Sequence, residues 1–239
     1  MNALVTGGSR GIGRAICLAL VQKSYHVTFT YRDEKAAEET ILLTGNGKER
    51  ITKIKAHMED KECVDEVVIS ALGSKKKLDV LVYNVGTNVE SNPSNEVTNE
   101  DWERGLDINL SAAYRYARAA IKYMPSGSSI VFIGSTAALQ GTANPLYSSS
   151  KAGLIGLTKS LARLYAEKNI TVNLISPGFV DTEFHGTSIE AEIFKHQVTQ
   201  VIPLKRMAKP DEVAEATISI IQNRYITGSN LLVAGGVVM

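Results

Sequence analysis

One segment constrains the fold of this chain more than any other. It reads Thr6-Gly7-Gly8-Ser9-Arg10-Gly11-Ile12-Gly13 and joins a short apolar run, Ala3–Thr6, to a helical stretch, Gly11–Gln22. Within that stretch Ile12, Ala15, Ile16 and Ala19 recur at the spacing of one helix face. A strand that turns at once into a helix needs glycine wherever the backbone is crowded. Gly7 serves the sharp turn, Gly11 the close approach of a bound group, and Gly13 the tight packing of helix on strand. The helix start offers N–H groups and the positive end of its dipole, a combination that suits a pyrophosphate.

The rest of the chain repeats the alternation. Strands are expected at His26–Tyr31, Ile51–Ala56, Val80–Tyr83, Ser129–Ile133, Thr171–Ile175 and Leu231–Val233. Helices are expected at Glu34–Leu43, Lys61–Leu72, Asn99–Met124, Tyr147–Lys168 and Pro210–Gln222. Strands that alternate with helices imply right-handed crossovers and a parallel sheet. Fully apolar strands such as Val80–Val82 fit a sheet covered on both faces. The expectation is a doubly wound, three-layer α/β Rossmann fold with a seven-stranded parallel sheet, in one domain spanning residues 1–239. Phe184–Pro203 has no clear strand and is the expected site of a mobile lid.

The end of the second strand normally reads the adenosine ribose of a dinucleotide. An acid there binds the 2′-hydroxyl and repels a 2′-phosphate. This chain has Thr30-Tyr31-Arg32, with no acid before Asp33. Arg32 can meet a phosphate with its guanidinium fork, and Arg10 in the glycine turn is a second cation nearby. The expected cofactor is therefore NADP(H).

Tyr147 and Lys151 are four residues apart at the start of a long helix, so they share a face. A phenol with a pKa near 10 is a poor acid–base group at neutral pH, and a neighbouring ammonium is expected to lower it. Tyr147 could then donate a proton to a carbonyl oxygen, or accept one in reverse. Ser135, after the fifth strand, can hold the same oxygen by a hydrogen bond.

Composition narrows the alternatives. Hydrophobic residues make up 44% of the chain and charged residues 21%, which argues against a disordered tail or a membrane protein. No apolar stretch approaches the roughly 20 residues of a membrane span. The net charge is +1 and the one basic cluster, Lys75-Lys76-Lys77, reads as a solvated helix end, so no nucleic-acid partner is expected. Cys17 and Cys63 have no metal-ligand spacing and the four histidines form no HExxH pattern, so no metal is expected. The N-terminus runs straight into a strand; no signal peptide is expected, and the expected compartment is the cytoplasm.

Thr-Gly-x-x-x-Gly-x-Gly, Asn84-Val85-Gly86, Ser135 and Tyr147-x-x-x-Lys151 together resemble the short-chain dehydrogenase/reductase family, and the resemblance covers the whole chain. It implies a catalytic set of Ser135, Tyr147, Lys151 and Asn109, the asparagine anchoring a proton-relay water. It implies cofactor contacts from Gly7, Ser9, Arg10, Gly11, Ile12, Gly13, Arg32, Asn84, Gly86, Tyr147, Lys151, Pro177, Gly178, Val180 and Thr182, with pro-S hydride transfer from the nicotinamide. Within the family the chain looks most similar to 3-oxoacyl-[acyl-carrier-protein] reductases over Tyr147–Ser160, Ile170–Thr182 and the ending from Tyr225. That likeness implies a 3-oxoacyl thioester substrate on acyl carrier protein or coenzyme A. An alcohol, sugar or steroid dehydrogenase of the same fold, and a catalytically silent nucleotide-binding protein, are the alternatives.

Several positions depart from the family pattern. Tyr83 and Val85 replace the usual Asn and Ala, His57 replaces an aspartate, Ala234 replaces an aspartate or asparagine, and Ser126 stands where a carrier-binding arginine would be, although Lys168 matches its companion. The two long helices carry surplus apolar or small residues: Ala112, Ala113, Ala117, Ala119 and Ala120 in one, and Ala152, Leu154, Leu157, Leu161 and Leu164 in the other. With the apolar segment Ser229–Met239, they are expected interaction surface, and the resemblance implies a homotetramer, or failing that a dimer.

Overall fold

The computed structural model describes residues 1–87, 97–182 and 189–238. Its strands are β1 (Asn2–Thr6), β2 (His26–Tyr31), β3 (Ile51–Lys55), β4 (Val80–Tyr83), β5 (Ser129–Ile133), β6 (Thr171–Pro177) and β7 (Asn230–Val233). They form one sheet in the order β3-β2-β1-β4-β5-β6-β7, and every pairing is parallel. The described helices are α1 (Gly11–Gln22), α2 (Glu34–Leu43), α3 (Cys63–Ser70), α4 (Asn99–Leu106), α5 (Ala112–Ala120), α6 (Ala137–Gln140), α7 (Pro145–Tyr165), α8 (Ile189–Val201) and α9 (Pro210–Gln222).

Alternation along the central strands divides the interior in two. Leu4, Leu81, Tyr83, Ile130, Phe132, Val172 and Leu174 pack with residues of α3, α5 and α7 on one face. Ala3, Val5, Val27, Phe29, Val82, Val131, Ile133 and Ile175 pack with α1 and α9 on the other. Successive side chains of a strand point to opposite faces, so an all-apolar strand feeds both cores. Each fully buried large aliphatic or aromatic side chain contributes about 1.5–3 kcal/mol relative to exposure. This is the three-layer arrangement expected from the pattern of runs.

The helices differ from expectation where local chemistry overrides periodicity. Asn99–Met124 is not one helix. Between α4 and α5 lies a π-turn, Asp107–Ser111, and α5 ends in a 3₁₀ turn, Ile121–Tyr123. The helix expected to start at Tyr147 begins at Pro145. Asn144 caps it by accepting from the Tyr147 amide at 2.9 Å, and Pro145 occupies the first turn, where no amide donor is needed. α6 has only four residues, too few to show a period. Part of the expected lid, Phe184–Pro203, is α8. It docks on the loop after β6 through the rings of Phe179 and Phe194, 6.0 Å apart, and the Lys195–Asp181 ion pair at 3.2 Å. Residues 184–188 of the expected lid lie outside the described residues.

The first long helix does not carry the surplus apolar surface expected of it. Ala112, Ala113, Ala117, Ala119 and Ala120 are all buried within the chain, because α5 packs against both the sheet and α3. On α7, Leu154 and Leu161 are buried and Leu157 is partly so, while Ala152 and Leu164 are exposed. No helix among the described residues is long and apolar enough to cross a membrane.

Candidate active site

β1 has β2 on one side and β4 on the other, and the chain's direction of progress across the sheet reverses between them. The loops after β1 and β4 therefore diverge and leave a crevice at their carboxyl ends. The glycine turn lies on its floor. Gly7 has φ +67° and Gly11 φ +49°, a region costly for residues with a Cβ. The Gly7 amide donates to Thr30 Oγ1 at 2.9 Å and the Gly8 amide to the Thr30 carbonyl at 3.0 Å, so the turn is pinned to β2. A Cβ on Gly13 would fall 2.1 Å from the Gly7 carbonyl oxygen, and one on Gly8 would meet Phe29 at 2.5 Å. Gly13 thus has the packing role expected of it, while the need for Gly8 comes from Phe29 on β2, which local sequence does not reveal.

α1 starts with no side-chain cap and no acid in its first turn, so its dipole and leading amides face the crevice unopposed by a carboxylate of its own. Ser9, Gly11 and Ile12 line this start, partly buried. Thr182 crosses above it: a Cβ on Gly11 would lie 3.1 Å from Thr182 Cγ2. Asn84 braces the turn, its amide donating to the carbonyls of Thr6 at 3.2 Å and Gly7 at 3.1 Å. Pro177 ends β6, Gly178 packs against Ala234 with its amide on the Val233 carbonyl at 3.0 Å, and Val180 forms a parallel bridge with Ala208. A glycine-floored crevice with an open helix start fits a dinucleotide pyrophosphate.

At the β2 end of the crevice the two acids are both engaged. Asp33 accepts from the Ala36 amide at 3.1 Å and from Arg10 at 2.5 Å, and the helix-start hydrogen bond, then Arg10, hold its carboxyl below the usual range. Glu34 accepts from Lys53 and from the Tyr31 hydroxyl at 2.5 Å, and the Lys53 hydrogen bond, then that of Tyr31, hold it low as well. Arg10 is therefore already paired with an acid, which the charge pattern alone did not suggest. Arg32 is exposed and makes no ion pair among the described residues.

The remaining candidates converge beyond β4 and β5. Lys151 is buried on α7, and its ammonium donates to the Ile133 carbonyl at the end of β5, 3.0 Å away. No carboxylate pairs with it among the described residues, and burial pulls its pKa down to about 8. Its Nζ lies 5.8 Å from the centre of the Tyr147 ring. A Cβ on Gly86 would lie 2.9 Å from that Nζ, so the β4 loop passes close to the ammonium and a side chain there would displace it.

Ser135 is in hydrogen-bond contact with the Tyr147 phenol and accepts from the Ala137 amide at 3.1 Å. The expected lowering of the Tyr147 pKa is not found. Burial raises it, and the Ser135 hydrogen bond opposes that only in part. The phenol accordingly holds its proton at neutral pH. Asn109 is wholly buried and bonds Thr87 and Ser150. Sequence reasoning missed Thr6, Thr30, Thr87 and Ser150, whose hydroxyls and backbone groups hold the candidates in place. The Asn144-Pro145 pair was a readable helix-start signal.

A solved short-chain dehydrogenase from Burkholderia cenocepacia, in complex with NADP, superposes with a TM-score of 0.90 at 30% identity, over 99% of this chain and 97% of that one. A family model described as Enoyl-(Acyl carrier protein) reductase matches residues 7–238. The chain belongs to the short-chain dehydrogenase/reductase family. As a member it is an oxidoreductase of a family that uses nicotinamide cofactors. This short-chain dehydrogenase/reductase is 35% identical to a 3-oxoacyl-[acyl-carrier-protein] reductase of Synechocystis, over 99% of its length and 96% of the relative's. It is 33% identical to glucose 1-dehydrogenase 2 of Bacillus subtilis, over 100% and 95% of the two lengths.

The Lys151 geometry generates a pH dependence. Its ammonium is fully present well below pH 8 and is lost as the pH rises through about 8. Turnover that uses the charged form is expected to fall on the alkaline side around that value. A profile flat from pH 7 to about 10 would overturn this dependence, since an ordinary lysine loses its proton only at the upper end of that range.

Proposed function

We propose that residues 1–239 form one catalytic domain, an NADP(H)-dependent carbonyl reductase. Its substrate is a 3-oxoacyl thioester, carried by acyl carrier protein or coenzyme A, and its product the 3-hydroxyacyl form in fatty-acid or polyketide-like synthesis. The observation that carries the reading is the convergence of Ser135, Tyr147 and a buried, carboxylate-free Lys151 at the end of β5. The 35% identity to a 3-oxoacyl-[acyl-carrier-protein] reductase supports the substrate class. The 33% identity to a glucose dehydrogenase favours a second reading, a sugar or alcohol dehydrogenase with the same residues.

A bound nicotinamide would supply the hydride that the carbonyl carbon accepts. Tyr147, protonated at neutral pH, donates its phenolic proton to the carbonyl oxygen. Ser135 holds the same oxygen and so sets its distance from the phenol. Lys151 places a positive charge beside the phenolate that remains and reaches the nicotinamide ribose. Asn109 holds the first turn of α7 and the proton-relay water. Gly7, Ser9, Arg10, Gly11, Ile12, Gly13, Asn84 and Gly86 would hold the dinucleotide, and Pro177, Gly178, Val180 and Thr182 would hold its carboxamide end.

NADP(H) is preferred because Asp33 and Glu34 are both engaged, which leaves Arg32 to meet a 2′-phosphate. The assembly is a homotetramer. Leu164 on α7, Leu231 on the edge strand β7, and Tyr225 at 99% exposure are apolar or aromatic surface that a partner copy would cover.

Purified protein is expected to oxidise NADPH with acetoacetyl-coenzyme A. Tyr147→Phe should lower that turnover by about 10² to 10⁴ while NADPH binding stays near native. Near-native turnover in the variant would refute the proton donor, and turnover of glucose with no thioester reduction would favour the second reading. In a fluorescence titration NADPH should bind tighter than NADH, and Arg32→Ala should narrow the gap; equal affinities in the native protein would sink the NADP assignment. Light scattering at micromolar concentration should return the mass of four chains, and a monomeric mass would overturn the assembly.

A further inference from the structure

The π-turn before α5 has a support outside the catalytic set. β4 ends at Tyr83, which is wholly buried, and its ring lies 5.9 Å from that of Tyr116. Its hydroxyl donates to the Ile108 carbonyl at 2.6 Å. Ile108 belongs to the π-turn Asp107–Ser111, where the Ala112 amide reaches back five residues to the Asp107 carbonyl. When the ladder returns to four-residue spacing, one carbonyl between the two registers loses its helical donor. A buried carbonyl needs a partner from elsewhere, and Tyr83 supplies one at Ile108. On the other side of the turn Arg115 grips Asp107 with two hydrogen bonds, of 2.7 and 2.9 Å.

Between these two supports stands Asn109. Its Oδ1 accepts from the Thr87 amide at 2.8 Å, and its Nδ2 donates to the Thr87 carbonyl and to Ser150 Oγ, each at 3.0 Å. Ser150 Oγ in turn donates to the Tyr147 carbonyl at 2.9 Å. The Asn109 amide thus ties the loop that passes Lys151 to the helix turn that carries Tyr147. Where Asn109 sits depends on where the π-turn sits.

We propose that Tyr83 is a positioning residue for the reaction: its buried hydroxyl, donated to the Ile108 carbonyl, fixes the turn that sets Asn109 between Thr87 and Ser150. Tyr83 acts through Asn109 and touches no reacting group, so the inference rests on the assignment of Asn109 to the catalytic set. Tyr116 shares the same core and ring contact, but its hydroxyl makes no bond to the turn, which makes Tyr116→Phe the matched control.

The test is a double-mutant cycle on the full chain, assayed with NADPH and acetoacetyl-coenzyme A, or with NADP⁺ and glucose if only glucose is turned over. Tyr83→Phe is expected to lower kcat on the order of tenfold with KM values near native, since small misplacements of catalytic groups cost up to about 10²-fold. Tyr116→Phe should leave kcat near native. In an Asn109→Ala background Tyr83→Phe should cause no further loss, because residues that act as one unit are not additive. Faster amide exchange at Thr87 in Tyr83→Phe would report the loosened turn directly. Losses that multiply in the double variant, or native kcat and Thr87 protection in Tyr83→Phe, would overturn the role of Tyr83 and leave that of Asn109 standing. Native turnover in Asn109→Ala would overturn both.

Discussion

Parallel pairing dictates this molecule. Every strand of the sheet runs the same way, so each connection must cross back over a face, and all seven carboxyl ends emerge on one side. The glycine turn after β1, the Asn84–Thr87 segment after β4, Ser135 after β5 and Gly178–Thr182 after β6 come together for that reason. They are far apart in the chain and have no direct need of one another to reach the same place. The crossover helices, buried against both faces, supply the apolar contact that keeps the ladder in register.

Within that frame burial acts most strongly on the charge of Lys151. A charged amine deep in a protein is disfavoured unless something compensates it. Here one backbone carbonyl contacts it directly, and no carboxylate does among the described residues. The result is an ammonium held near its titration point beside a phenol that burial keeps protonated. The two groups are displaced in opposite directions by the same cause: desolvation disfavours the charged form of each, the ammonium in one case and the phenolate in the other. A carboxylate next to Lys151 would have stabilised its charge and removed that balance.

The sheet was legible in the sequence because its signal is local. β2, β4 and β5 coincide with their apolar runs, and α1, α2 and α9 with their periodic stretches. The candidate residues were legible as well, since their types and spacings recur in a known family. What escaped were interactions between distant segments. Nothing near Gly8 reveals that Phe29 packs against it, and nothing near Arg10 reveals that Asp33 holds it. The alanines of α5 read as surplus because their partners on α3 and the sheet lie elsewhere in the chain. The Tyr147 proton was misjudged for a related reason: a neighbouring charge can be inferred from a four-residue spacing, but the depth of burial cannot.

The π-turn also sets the rotational phase of α5. A residue occupies about 100° of an α-helix, so a turn that takes in one residue beyond the ordinary ladder offsets every later side chain by that angle. With the offset, Ala113, Tyr116, Ala117 and Ala120 face inward and Tyr114 and Arg118 face solvent. Forcing the same residues of Asp107–Ser111 into the regular four-residue ladder would relieve the Ile108 carbonyl. It would also swing α5 by that same angle and bring bulky or charged groups against a wall shaped for alanine. The irregular turn is thus a phase correction, one that lets a single helical stretch present an asparagine to the crevice at one end and a flat small-residue face to the sheet at the other.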